Sequence, residues 1–309
     1  MQSSGHPAQF VYAGDALGSP VPLATTMGGM GIRNERAANL PAKLSRSWLL
    51  AAPHSEQVML DALASEADSV VFDIEDGIPD DDKAQARELV ATALNNGLSG
   101  WVRINPAGTD LWREDVEALN GSQGLRGVML AKTETPEQVA ATGQALTPGT
   151  PVVALLESGL GIENAPFIAK AQGTFRLAFG TGDFRRDTGA GSTPLALAYA
   201  RSRLVVASRV GELPGPIDGP VLSDDPGIIG TACQVTVEMG MTGKLTLGTS
   251  QAPQINEHLS PSASEIAWAR DLLTKDAQGA GGGDGSYLPR LSRAKKVSRL
   301  AESYGLWNR

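Results

Sequence analysis

Three things are scarce in this chain. It has one cysteine in 309 residues, which excludes a disulfide framework and suits a reducing cytosol. Cys233 lies in a helix-like apolar stretch and reads as a small core residue rather than a nucleophile. No stretch approaches the roughly 18 uninterrupted apolar residues of a membrane span, and the N-terminus lacks a basic start leading into an apolar run, so a cytoplasmic protein is expected. Positive charge is also short: a formal net charge of −8 argues against nucleic acid or an anionic membrane surface as partner.

What is present is a substantial apolar fraction, 41%, enough for one large core, at a length normal for an α/β barrel. Residues 1–44 mix Gly, Pro, Ser and Thr with few periodic apolar positions and are expected to form an N-terminal arm. From Ser47 onward strand-like and helix-like segments alternate. SWLLAAP precedes a helix capped by Ser55; SVVFDIED precedes a helix that opens on Pro and acids and closes on Asn. WVRINP, GVMLAKT, VVALLE, the apolar run ending in FGTGD, a short Pro-interrupted GPIDGPV and GKLTLGTS complete eight β-then-α units. That count predicts an α/β fold of the (β/α)8 TIM-barrel type over 45–260, with a C-terminal helical extension and lid over 261–309. In the extension, a helix from Ser262 to Lys275 and a basic one from Pro289 to Tyr304 flank a glycine-rich hinge at Gly279–Gly285.

Barrel enzymes build their sites where strands end, and here the strand ends are charged. Strand two ends in Asp73, Glu75 and Asp76, strand three carries Arg103 and Asn105, and strand four ends in Lys132. Strand five gives Glu157, strand six Asp183 and strand seven Asp218. Side chains alternate along a strand, so if Phe72, Ile74, Val102 and Ile104 pack on helices, then Asp73, Glu75 and Arg103 point into the barrel. So many inward charges compensate one another only around a shared site, such as a divalent cation with an anionic ligand. Mg²⁺ needs only one or two carboxylates besides water and ligand oxygens. Glu157 and Asp183 are the candidates, with Glu75 and Asp76 expected to orient water on the metal. An inward guanidinium beside such a cation suits chemistry that passes through an enolate. His54, just past strand one, is a candidate base.

Taken in order, RSWLLAAP, VVFDIEDGIPDDDKAQAR, WVRINP, VMLAKTETPEQV, LLESGLGIENA, FGTGDF and IDGPVLSDDPG resemble the citrate lyase β-subunit-like proteins of the HpcH/HpaI aldolase superfamily, over about Leu44 to Tyr304. The resemblance implies a trimeric or hexameric barrel that makes or breaks a carbon–carbon bond, commonly on a CoA thioester such as malyl-CoA or citramalyl-CoA. It implies Mg²⁺ at Glu157 and Asp183 holding a 2-oxo or hydroxy acid near Gly182, with Arg103 anchoring the carboxylate and stabilising the enolate.

The chain departs from that pattern in three places. A His-Pro pair expected after strand eight is replaced by Gly248 and Thr249. The lid reads GGGDGSYLPR, leaving Asp284 as the nearby acid for proton transfer. Arg185 and Arg186 follow Asp183, an added positive charge that favours a more acidic substrate. For a CoA tail, the rim cations Arg46, Lys132 and Lys244 are candidates, together with Arg290, Arg293, Lys295 and Lys296 of the terminal helix. Three readings stay open: a magnesium-dependent lyase on a CoA thioester, an aldolase for free 2-oxo acids, and a catalytically reduced barrel that binds a metabolite or a subunit.

Overall fold

The structure is a computed structural model that describes residues 35–278 and 285–308. Eight parallel strands close on themselves in chain order, β1 through β8. They are β1 (Ser47–Ala51), β2 (Ser69–Asp73), β3 (Gly100–Ile104), β4 (Leu125–Leu130), β5 (Val152–Leu156), β6 (Thr174–Phe179), β7 (Ile217–Asp218) and β8 (Gly243–Thr246). The seam is the pairing of β1 with β8, Trp48 beside Leu245. The (β/α)8 barrel read from the alternating segments is the fold of this chain.

Between the strands run α2 (Glu56–Ala64), α3 (Lys83–Asn95), α4 (Asp110–Leu119), α5 (Pro136–Ala145), α6 (Gly159–Lys170), α7 (Thr181–Thr188), α8 (Ala198–Val210) and α9 (Pro226–Glu238); α1 (Glu35–Asn39) precedes β1, and α10 (Ala252–His258), α11 (Ala263–Ala277) and α12 (Tyr287–Ser303) follow β8. The starts are set locally. Ser55, Thr109, Ser158 and Asp225 each accept a hydrogen bond from a first-turn backbone N–H, which satisfies one of the amides a helix leaves unpaired there. α10 was not anticipated, because its polar sequence with Pro253 shows no apolar period.

Strand alternation sorts the core into two layers. Phe72, Ile74, Val102, Ile104, Leu130, Leu156 and Phe179 face the helices, where burial of each large side chain contributes about 1.5–3 kcal/mol. Trp48, Leu50, Val71, Trp101, Met129, Val153, Leu155 and Leu245 fill the barrel itself. Trp101 is the pivot of the inner layer, with ring centroids 5.1 Å from Trp48 and 5.3 Å from Phe175. Large aromatics thus plug the end where strands start, and the other end is left for polar groups.

Of the N-terminal arm, residues 1–34 lie outside the described residues. Residues 35–44 supply α1 and a 3-10 turn, with Ala37 and Leu40 buried. At the other terminus α11 and α12 share a small core of Ile266, Ala269, Leu272, Ala294, Val297 and Ala301. Tyr304 at the end of α12 donates to the carbonyl of Leu44 at 3.0 Å, so this end of the expected lid is tied to the barrel's strand-start end rather than to its mouth.

Candidate active site

At the strand-finish end, the alternation places Asp73, Glu75 and Arg103 inside the barrel as expected. Asp73 takes the side-on edge of Arg103: Nε donates to Oδ1 at 2.7 Å and Nη2 to Oδ2 at 2.5 Å. Glu75 lies 3.3 Å from Arg103 Nη1. The fork formed by Nε and Nη2 is therefore occupied and Nη1 lies against Glu75, so another anion meets Arg103 only through the remaining hydrogens of the end-on edge. Burial alone would lower the Arg103 pKa, but Asp73, Glu75 and Glu157 raise it, so the guanidinium is a fixed cation. A side chain on Gly77 would run into the Asp73 carboxylate, so the smallest residue is what permits this pairing.

Lys132 follows β4 with a left-handed backbone, φ 49°, which a lysine adopts only when neighbours hold it there. Here they do: its N–H donates to Glu157 Oε1 at 2.7 Å and its Nζ to Glu75 Oε1 at 2.6 Å, with Asp76 at 3.6 Å. Burial is the largest influence and works against the charged lysine, but Glu75, Asp76 and Glu157 together outweigh it and raise the pKa, so Lys132 is a cation and not a base. Burial raises the Glu75 pKa despite Arg103 and Lys132. Asp76 is less enclosed, and there Lys132 and Arg103 outweigh burial and lower it.

Glu157, one residue past β5, is buried and pushed up to about 8, first by loss of water and then by repulsion from Asp183 and Glu75. A Cβ on Gly180 would overlap its carboxylate. β6 ends at Phe179, so Asp183 stands in the first turn of α7 rather than on a strand, with Gly182 beside it in open space. Arg186 Nη2 lies 2.7 Å from Asp183 Oδ1 as an ion pair. Asp183 Oδ2 is buried with no hydrogen-bond partner. Lys132, Glu157, Asp183 and Arg186 line one cavity of about 660 Å³, together with Pro106, Glu134, Gln138, Ser158 and Asp187. Of these, Glu134 accepts from the Ser158 hydroxyl at 2.5 Å and Asp187 from the Gly159 amide at 2.7 Å. Both were missed in the sequence; the signal was their position one turn or less from Lys132 and Asp183.

Among the described residues no group of three or more His, Cys, Asp or Glu side chains is placed to hold a metal ion. The mouth offers a pair instead, Glu157 and Asp183, and the pair fits a hard cation that keeps most of its waters. One carboxylate oxygen is orphaned in a dry place, and the other carboxyl lacks the positive charge that would keep it ionised.

Several expected residues lie elsewhere. Arg46 precedes β1 and so sits at the opposite end, where Nε donates to the buried Asp68 at 2.8 Å and the guanidinium stacks 3.9 Å from the Tyr304 ring. Lys244 and Asp218 face outward, because Ile217 and Leu245 take the inward positions of their strands. They pair at 3.0 Å behind the wall, with Arg201 at 2.9 Å and Thr236 at 2.7 Å. Neither Arg46 nor Lys244 is a rim cation. His54 lines a separate 430 Å³ cavity against α3, with Ile78, Gln85 and Leu89. Asn105 is buried against helices, accepting from Lys83 at 2.9 Å and donating to Asp115 at 2.8 Å. Arg293 of α12 pairs with Glu265 at 3.0 Å. Asp284 lies outside the described residues.

A closed parallel barrel whose strand-finish end gathers buried carboxylates, a clamped arginine and a lysine defines an enzyme of the barrel class. The comparisons name which. The family model described as HpcH/HpaI aldolase/citrate lyase matches residues 46–215, and that of the HpcH/HpaI aldolase C-terminal domain matches 264–305. The chain belongs to the HpcH/HpaI aldolase/citrate lyase family, and it is an enzyme of that lyase class. It is 29% identical to a citrate lyase subunit beta-like protein of Deinococcus radiodurans, over 84% of this chain and 98% of that one. To the L-malyl-CoA/beta-methylmalyl-CoA lyase of Rhodobacter capsulatus it is 28% identical, over 85% and 96%. Among solved structures it resembles CitE of Mycobacterium tuberculosis in complex with magnesium, acetoacetate and coenzyme A, with a TM-score of 0.70 and 26% identity over 84% of this chain and 99% of that one. No described helix is long and apolar enough to cross a membrane.

Proposed function

We propose that the chain is a magnesium-dependent carbon–carbon lyase acting on a 3-hydroxyacyl-CoA thioester of the malyl or citramalyl type. The observation that carries this reading is the buried Glu157 beside the half-buried Asp183, whose Oδ2 is enclosed without a partner, with Arg103 at the same end of the barrel. Five inner carboxylates, Asp73, Glu75, Asp76, Glu157 and Asp183, face three cations, Arg103, Lys132 and Arg186. The magnesium and CoA in the similar CitE structure and the malyl-CoA lyase name of a relative support the same choice.

In the cleavage direction the 3-hydroxyl loses its proton, the bond between C2 and C3 breaks, and its electron pair moves to C2 as the thioester enolate, which is then protonated. Glu157 and Asp183 would hold the Mg²⁺, which when bound supplies Lewis-acid stabilisation to the oxygens of the 2-oxo acid. Arg103 binds the acid's carboxylate through its end-on edge and opposes the developing enolate charge. Asp73 fixes that guanidinium before substrate arrives. Lys132 holds Glu75 and, through its backbone N–H, orients Glu157.

Calorimetry tests the metal site: Glu157→Gln or Asp183→Asn should lower Mg²⁺ affinity at least about tenfold, since ligation is ionic. Unchanged affinity in both variants rejects it. Salt-sensitive binding of acetyl-CoA tests the thioester; its absence beside tight Mg²⁺-dependent binding of a free 2-oxo acid selects the CoA-free aldolase instead. A homotrimer or dimer of trimers is part of this reading, supported by the exposed Leu160 and Phe167 of α6, Tyr199 of α8 and Ile228 of α9. Sedimentation velocity showing a monomer would remove it.

A further inference from the structure

The mouth holds three cations, and they differ in how firmly they are held. Arg103 is enclosed and bonded to Asp73 and Glu75; Lys132 is pinned at its backbone and its ammonium. Arg186 is the loose one. Its side chain is 76% exposed and its one ion pair is to Asp183, three residues earlier on the same helix. An exposed pair of this kind is worth little, about 0–1 kcal/mol. Yet the carboxylate it touches is one of the two proposed for the metal. A dication entering beside Asp183 Oδ2 puts like charge against the guanidinium and takes the electron density that held it. Arg186 then has a free fork at the wall of the same 660 Å³ cavity. The next cations along, Lys132 and Arg103, are committed to Glu75 and Asp73.

We propose that Arg186 is a specificity-determining residue: Mg²⁺ displaces it from Asp183, and it then recognises a second carboxylate, so that the site prefers a 2-oxo diacid to a 2-oxo monoacid. Arg103 takes the carboxylate next to the oxo group and Arg186 takes the distal one, a planar bidentate contact that lysine reproduces poorly. This rests on the magnesium reading above and narrows its thioester: malyl and citramalyl types release 2-oxo acids with one carboxylate, so a diacid preference selects a 3-hydroxyacyl-CoA that carries a second carboxylate in its C3 substituent. Arg185, the neighbouring arginine, does not line the cavity and has no such part.

Two titrations of the full chain test it. In the first, Mg²⁺ alone is titrated into wild type and Arg186→Gln. The variant should bind Mg²⁺ more tightly, by up to about fivefold, because the competing guanidinium is gone. In the second, at saturating Mg²⁺, pyruvate is compared with oxaloacetate and 2-oxoglutarate. Wild type should favour at least one diacid by about tenfold or more, a preference that Arg186→Gln abolishes and Arg186→Lys only partly restores, with pyruvate affinity and acetyl-CoA binding unchanged. Arg185→Gln should match wild type throughout. No diacid preference in wild type, or a preference that survives Arg186→Gln, overturns the assignment while the magnesium site stands. Loss of acetyl-CoA binding with an intact diacid preference overturns it too, by moving Arg186 to a phosphate. Wild type that binds no Mg²⁺ removes the magnesium reading and this one with it.

Discussion

Both ends of the barrel bury an arginine, and the two are held in opposite ways. Arg176, inside the strand-start end, is fully buried and donates to neutral oxygens alone: the Gly215 carbonyl at 2.7 Å, the Ser45 carbonyl at 2.9 Å and the Thr242 hydroxyl at 3.0 Å. Burial without an adjacent carboxylate brings its pKa down to about 10. Arg103, inside the strand-finish end, is gripped by two carboxylates that raise its pKa. A buried charge is therefore not in itself a mark of function in this fold. Arg176 ties three chain segments together and leaves nothing to react with, whereas the set around Arg103 carries surplus carboxylate and an orphaned oxygen.

The comparison breaks if the two arginines prove interchangeable in effect. Arg103→Lys should fold like wild type, since lysine keeps the charge beside Asp73 and Glu75. It should lose roughly 10³-fold in turnover, about 4 kcal/mol of barrier, because the end-on edge is gone. Steady-state kinetics with unchanged rates would remove Arg103 from the site. Arg176→Met should do the reverse. Three buried acceptors lose their donor, so a loss of about 3 kcal/mol is expected in urea denaturation, with the activity per folded molecule retained. Equal midpoints for Arg176→Met and wild type would refute the structural reading of the strand-start arginine.

A smaller effect sharpens the contrast through pH. The Glu157 carboxyl titrates near 8 in the folded, metal-free chain but near its ordinary value when unfolded. Between those two values the folded state holds the extra proton, so this group's contribution to stability is greatest at low pH and falls as pH rises toward 8, by about 3–5 kcal/mol. Thermal unfolding of metal-free protein at pH 5.5 and 8.5 should show that fall, Glu157→Gln should flatten it, and Mg²⁺ should offset it at the higher pH. A slope that is identical in Glu157→Gln would assign it to other groups.

The barrel was readable because each unit repeats the same local rules, a buried apolar strand and then a capped helix, and eight repeats of that rule allow few other closures. Alternation also placed Asp73, Glu75 and Arg103 inside, since Phe72 and Val102 could face only the helices. Where the reading went wrong, the deciding fact was non-local. Lys244 precedes Leu245, and which of them points inward depends on how β8 meets β1 and β7 around the ring. Asp183 looked like a strand end because Gly180 and Gly182 hide the turn into α7. Arg46 was placed at the rim although it precedes its strand, and its partner Asp68 is 22 residues away with no shared pattern. The grip of Asp73 on Arg103 was equally invisible, because it spans 30 residues and two strands.

The aromatic plug at the strand-start end has an optical consequence. Trp48 and Trp101 meet edge to face with almost no water around either, a geometry in which neighbouring indole transitions couple and emit to the blue. Their near-ultraviolet circular dichroism reports on strands one and three at once, and Phe175 extends the contact to strand six. The chain thus contains its own spectroscopic gauge of ring closure, with Trp101 two residues before Arg103 on the same strand.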